Sequence, residues 1–311
     1  MFNYSQNHLS MKQSSLSLLR NSTLVLLSII ALNSAKAQQL PQYSQYYINP
    51  MLYNPAATGI GSDWNIFALH RDQWSGFTGS PVTNTFTIDG PVKSKKIGLG
   101  LNVYSDQIGI TSRTGAYANY SYKVSFNKEN HLYLGLSTGI LINTIDFTKL
   151  KTKESNDVVP SGTQTAFDAS FGAIYQFRNL QVGFSTPQLI GNTLTYSGQG
   201  DNKNYYTLNR HYLGSIKYVV DVVKEKGISA YPLILVRSSQ GAPLQYDVNA
   251  VLDWRNTAWA AVAYKSSGSV TANLGLRFYG VSIGYAYDVA NGPVGSVAGS
   301  TSEILLGYSL E

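Results

Sequence analysis

The residues able to do chemistry are few and scattered. The chain has no cysteine and four histidines, His8, His70, His131 and His211. Without cysteine there is no thiol nucleophile, zinc ribbon or iron–sulfur cluster, and no two of these histidines stand at a metal-ligand spacing. Neither a G-x-S-x-G elbow, nor a P-loop, nor an H-E-x-x-H run occurs. His70 precedes Arg71 and Asp72, a base beside a carboxylate, but no nucleophile accompanies them. The expectation is a protein without a reaction, a metal or a cofactor. More informative are five ionisable residues inside apolar alternating segments, Asp89, Asp168, Arg277, Asp288 and Glu303. A charge facing lipid costs about 2–4 kcal/mol at a bilayer midplane, whereas one facing the interior of a barrel is tolerated. These five are therefore expected on an inner face, paired with one another or with a segment held inside.

The elements that must position them read as strands. Phe167, Ala169, Phe171, Ala173, Tyr175 and Phe177 alternate with Asp168, Ser170, Gly172 and Gln176, so one face is apolar and the other small or polar. Leu132–Leu136, Val281–Tyr287, Tyr246–Trp254, Ile97–Val103 and Ile304–Leu310 repeat the pattern. Fourteen strands are expected, near 64–70, 83–89, 97–104, 112–126, 131–143, 165–177, 180–185, 209–220, 228–236, 244–254, 258–264, 270–278, 281–287 and 303–310. The connections after even-numbered strands are the tight ones, such as Arg178-Asn179 and Tyr279-Gly280. The long Gly/Ser/Thr/Asn-rich stretches, 71–82, 144–164, 186–208 and 288–302, all follow odd-numbered strands. Short turns at one end, long loops at the other and an even strand count describe an outer-membrane β-barrel with both termini in the periplasm. A soluble sandwich has no reason to sort its loops this way.

Composition agrees with an all-β membrane protein. Only 13% of the 311 residues are charged, against roughly 25% in ordinary soluble domains, while 28 are Gly and 23 are Tyr. Tyrosine suits the interfacial girdles of a barrel, with its ring among headgroups and its hydroxyl in water. Residues 1–37 read as a cleaved signal peptide. Lys12 and Arg20 precede the apolar run Leu24–Leu32, and Ala35-Lys36-Ala37 forms an A-x-A site. Of the 23 basic residues, Lys12, Arg20 and Lys36 lie in this acid-free leader, which leaves 20 basic against 17 acidic, or +3. That is no footprint for nucleic acid.

Between the leader and the barrel, expected over 63–311, residues 38–62 form a plug or periplasmic segment. Pro50 and Pro55 each follow an Asn, which favours turns over strand. Yet four tyrosines with Ile48, Met51 and Leu52 are too apolar to stay solvated, and a turn or short helix inside the lumen would bury them. Arg71, Gln73, Trp74 and Phe77 admit two roles. They are either a girdle, with Arg71 pairing locally or meeting lipopolysaccharide phosphate, or an extracellular docking patch for a secreted partner. The parity of the first strand leaves the direction of Arg71 open.

Gln42-Tyr-Ser-Gln-Tyr46 with Asn49-Pro-Met-Leu-Tyr-Asn-Pro-Ala-Ala-Thr-Gly59 resembles the N-terminal signature of the PorP/SprF family of type IX secretion outer-membrane proteins. The motif residues are Asn49, Pro50, Tyr53, Asn54, Pro55, Ala56 and Gly59. Arg71-Asp-Gln-Trp-Ser-Gly-Phe77, Gly79-Ser-Pro-Val-Thr83, Thr87-Ile-Asp-Gly-Pro91, Ile97-Gly-Leu-Gly100 and Asp106-Gln-Ile-Gly109 extend the likeness, which returns at Gly284-Tyr-Ala-Tyr-Asp288 and Glu303-Ile-Leu-Leu-Gly-Tyr308. The family usually has a His before that Glu, where this chain has Ser302. The resemblance implies an outer-membrane barrel whose partners are type IX secretion components or a secreted adhesin-like protein, including adhesins used in gliding. Asn54-Pro-Ala56 is also similar to the hatch of FadL-type transporters, and a diffusion channel for a small hydrophobic or neutral solute is the alternative function.

Overall fold

The computed structural model describes residues 40–92, 95–146, 162–197, 203–254, 257–290 and 299–310. The leader expected at 1–37 and parts of the long loops lie outside the described residues. Strands β1 (Trp64–Asp72), β2 (Val82–Pro91), β3 (Ile97–Ile108), β4 (Thr111–Ser125), β5 (Asn130–Ile145), β6 (Gly162–Phe177) and β7 (Leu180–Thr186) pair in succession, all antiparallel. A second run does the same further along the chain. After β8 (Thr193–Ser197), β9 (Lys203–Thr207), β10 (His211–Tyr218) and β11 (Val220–Val223) come β12 (Ile228–Ser239), β13 (Gln245–Trp254), β14 (Ala258–Lys265), β15 (Ser269–Phe278), β16 (Val281–Ala290) and β17 (Thr301–Leu310).

Two pairings join the runs. β10 bonds β7 on one side and β12 on the other, and β17 returns to β1 with Leu310 opposite Trp64. The sheet closes as an antiparallel barrel of fourteen strands, β1–β7, β10 and β12–β17. Closure satisfies the backbone of every strand from its neighbours, the condition for crossing hydrocarbon.

The alternation places each face. On β6, Phe167, Phe171, Tyr175 and Phe177 are exposed on the outside while Ala166, Asp168 and Ile174 are buried within. On β15, Leu274 and Leu276 face outward, each 67% exposed. Such a face is stable only against lipid. At the termini-bearing end the turns are tight. Tyr279 and Gly280 join β15 to β16 with φ of 48° and 77°, both left-handed as a type I′ hairpin requires.

The strands differ from the sequence reading in two connections and in several strand lengths. Residues 186–208 were expected as loop, but β8 and β9 within it pair as a separate hairpin, Thr193 opposite Thr207. The β-branched and aromatic residues of Thr193-Leu-Thr-Tyr196 explain it. The expected strand 209–220 divides into β10 and β11, because the Val219 N–H turns aside to bond Asn179 O and β11 pairs with β12 alone. β3, β5, β6 and β12 also run further toward the long loops than their apolar alternation does. Beyond the membrane both faces meet water, so pairing continues where the pattern has ended.

Candidate functional site

Residues 40–60 lie inside the barrel. They form two single 3-10 turns, Pro50–Leu52 and Pro55–Ala57, each begun by an Asn-Pro step. Proline suits the first turn, where its missing N–H removes nothing. Asn54 caps the second by accepting the Ala56 N–H at 3.0 Å through Oδ1. Its Nδ2 donates to Ala173 O at 3.3 Å and Phe184 O at 3.2 Å, tying the turn to β6 and β7.

A four-charge cluster holds the start of this segment. Arg71 on β1, Lys265 on β14, Asp288 on β16 and Glu303 on β17 all point inward and are buried. Arg71 reaches Asp288 and Glu303, each at 3.1 Å, and the Lys265 Nζ lies 2.6 Å from Asp288. Ser44 stands at the centre. Its hydroxyl donates to Asp288 at 3.0 Å and accepts from Arg71 at 2.8 Å and Lys265 at 2.9 Å. The Glu303 carboxylate accepts the backbone N–H groups of Ser44 at 2.7 Å and Gln45 at 2.8 Å. Two cations meet two anions, so the buried cluster is formally neutral. Removing one partner of such a set costs about 3–5 kcal/mol, since the others remain buried and uncompensated.

Further bonds fasten the segment to strands all around the ring. Tyr43 OH meets Thr85 Oγ1 at 2.9 Å, Asn49 Nδ2 donates to Thr87 at 2.7 Å, and the Gly59 N–H donates to Asp89 at 2.7 Å. Ser121 donates to Thr58 O and Ser185 to Tyr53 O, each at 2.6 Å, while Asn249 donates to Tyr46 OH at 2.6 Å. Tyr43, Tyr46 and Tyr47 pack with Phe67, Leu69, Tyr231 and Trp259 in one apolar cluster. Burial pushes the phenols of Tyr43, Tyr46 and Tyr47 far above the usual range, and that of Tyr53 up to about 12.

Inward glycines make room for this contact. A Cβ on Gly172 would stand 2.0 Å from Asn54 Oδ1, and one on Gly135 would stand 2.1 Å from Ala56 N. The wall is bare where the segment's backbone lies on it.

At the long-loop end the β8–β9 hairpin folds over the lumen. Leu194, Tyr196 and Leu208 are buried against Tyr104, Tyr117 and Leu141. Asn143 Nδ2 donates to Tyr196 OH at 2.6 Å, and Arg113 bonds Tyr206.

The structure distributes the remaining site residues unequally. Asp89, Asp288 and Glu303 all bond the inner segment. Arg277 instead pairs with Asp253, at 2.9 and 3.2 Å, and stacks over Trp259. Asp168 faces Tyr117 OH at 3.5 Å. Arg71 corrects the girdle or docking expectation, because it points into the lumen and is 3% exposed. Its neighbours Phe67 and Leu69 are also inward and apolar, so β1 carries no alternation by which its direction could be read. Gln73, Trp74 and Phe77 do lie in the β1–β2 loop, where Trp74 adopts φ of 58° and contacts Phe77. Sequence reasoning missed Ser44 and Lys265. A lone lysine ending the apolar run Ala258–Tyr264 was the available signal.

The family model for the type IX secretion system membrane protein PorP/SprF matches residues 35–308. The chain belongs to this family. It is thus an outer-membrane barrel of type IX secretion. No curated protein matches it. Among solved structures it is similar to the CymD monoaromatic hydrocarbon channel, at 12% identity over 84% of this chain and 91% of that one, with a TM-score of 0.49. It is also similar to Omp33 of Acinetobacter baumannii (10% identity, 81% and 99% covered, TM-score 0.47) and to the toluene transporter TodX of P. putida (7%, 83% and 92%, 0.46).

Proposed function

We propose that this PorP/SprF protein is a non-enzymatic barrel that serves secretion or surface attachment of an adhesin-like protein carried by the type IX system. The observation that carries this reading, beside family membership, is the filled lumen. Residues 40–60 are bonded to strands around the ring, and the β8–β9 hairpin covers the other end. A barrel occupied by its own chain suits a binding platform better than an open pore. The Gln73, Trp74 and Phe77 loop offers an aromatic surface for a secreted partner, Phe77 being exposed.

A second reading is a channel for a small hydrophobic or neutral solute, with residues 38–59 as a movable hatch. Buried amide atoms of Asn102, Asn119 and Asn273 without hydrogen-bond partners among the described residues favour it, since such groups in a lumen bind water. Affinity purification from the native envelope in mild detergent, with mass spectrometry, tests both. Recovery of an adhesin-like protein or secretion components is expected. Recovery of the folded barrel alone would overturn stable partner binding and send the question to liposome swelling.

A further inference from the structure

The outward surface of β1–β3 and β17 is not uniformly apolar. His70, Asn84, Ser105 and Thr114 stand opposite one another in register across β1, β2, β3 and β4. All four are exposed on the outside of the barrel. Ile304 on one flank and Ile142 on the other occupy the same row, so apolar surface brackets the polar residues. His70 Nδ1 and Asn84 Oδ1 lie 2.8 Å apart, while the hydroxyls of Ser105 and Thr114 have no side-chain partner among the described residues.

Directly below this row the surface is hollow. Ala68 sits between Leu306 on β17 and Phe86 on β2, and Phe86 is followed by Val103 on β3. The single methyl of Ala68 leaves a trough between the larger side chains, part of an open groove of about 380 Å³. Its outward walls, Phe86, Ile304 and Leu306, are about half exposed. The groove lies toward the C-terminal end of β1, the long-loop side, hence in the outer leaflet.

We infer that this groove holds the acyl chain of an outer-leaflet lipid, whose polar linkage bonds the His70–Asn84–Ser105 shelf. The occupant follows from the position. A trough opening onto a hydrocarbon-facing surface is filled by acyl chain, and polar groups at its upper end need hydrogen bonds that hydrocarbon does not supply. A lipid provides both, because its ester, amide or hydroxyl groups lie where the chain ends. The site is separate from the lumen and independent of the secretion reading.

The test uses the full barrel in vesicles of phosphatidylethanolamine and phosphatidylglycerol that contain a phosphatidylethanolamine with a diazirine on its acyl chain. After irradiation, label is mapped by peptide mass spectrometry, with the outward β15 face around Leu274 as the control wall. Label in peptides bearing residues 66–70 and 84–88 is expected about tenfold above the control, the ratio of a site favoured by about 1.4 kcal/mol. Ala68→Phe fills the trough and should abolish the excess; the His70→Leu, Asn84→Leu pair should reduce it several-fold. Unlabelled lipopolysaccharide that competes better than phospholipid identifies a glycolipid chain as the natural one. Even labelling of both walls, an excess unchanged by Ala68→Phe, or cross-links joining two copies at these residues would each overturn the inference. Heat-modifiable gel mobility confirms that each variant is folded, and Ala68→Phe keeps the outward face apolar.

Discussion

At the residue scale the decisive group is Glu303. It is 1% exposed and accepts two consecutive backbone N–H groups of the inner segment together with the Arg71 guanidinium. Glu303→Ala leaves those two donors without an acceptor and takes one of the two carboxylates from the buried Arg71, which keeps Asp288. The variant should weaken docking of residues 43–46 by about 3–5 kcal/mol, read as faster amide exchange and new protease cutting in that segment. The barrel itself should keep its heat-modifiable mobility, since the strand hydrogen bonds are untouched. Gly172→Val should act similarly by another cause, because its Cβ would meet the Asn54 oxygen at 2.0 Å. Alkali should release the segment too. Tyr53 ionises near 10.0 when free and about 12 when docked, so docking is fully favoured below 10 and lost as pH rises toward 12. Protease cutting within residues 43–53 that begins only as the pH climbs from 10 toward 12 would bear this out; release of the segment already below pH 10 would contradict it.

At the element scale, two hairpins have separable roles. The β15–β16 turn depends on left-handed backbone at Tyr279 and Gly280, and a Cβ on Gly280 would come within 2.8 Å of Ser309 O. Gly280→Val should cost about 1–2 kcal/mol and lower the fraction that assembles into a heat-modifiable barrel. The β8–β9 hairpin belongs to the mouth and not to the wall. Tyr196→Phe removes its hydroxyl from Asn143, a loss of about 1 kcal/mol, which should loosen the hairpin without changing barrel assembly. Limited proteolysis around β8–β9 from the outer surface of intact cells would show it.

At the scale of the whole molecule, the barrel sorts its residues by solvent: lipid outside, its own N-terminal segment within. Leu274→Arg, at the middle of an outward face, should therefore destabilise the barrel by about 2–4 kcal/mol in urea unfolding from vesicles. Partner binding belongs to this scale as well. A platform should keep its co-purifying partner when Glu303→Ala frees the segment, unless the segment itself is the contact; a channel should instead begin to leak solutes.

The sequence by itself determined the fourteen strands of the wall and their closure, though not the β8–β9 hairpin or the division of 209–220. Phe167–Phe177 and Val281–Tyr287 alternate because one side meets lipid and the other does not, and Tyr279-Gly280 marks a tight turn by backbone chemistry alone. Parity likewise put Asp168 and Asp288 on the inner face. The tertiary structure decided what that face holds. β1 is apolar on both sides because tyrosines of the inner segment cover Phe67 and Leu69, so only the folded barrel shows Arg71 turned inward. Ser44 meets Asp288 and Lys265 across more than two hundred residues of chain. Period two is a local property of a strand, whereas register and the company of a side chain in the lumen are set by non-local pairing. That pairing exists only once the ring has closed.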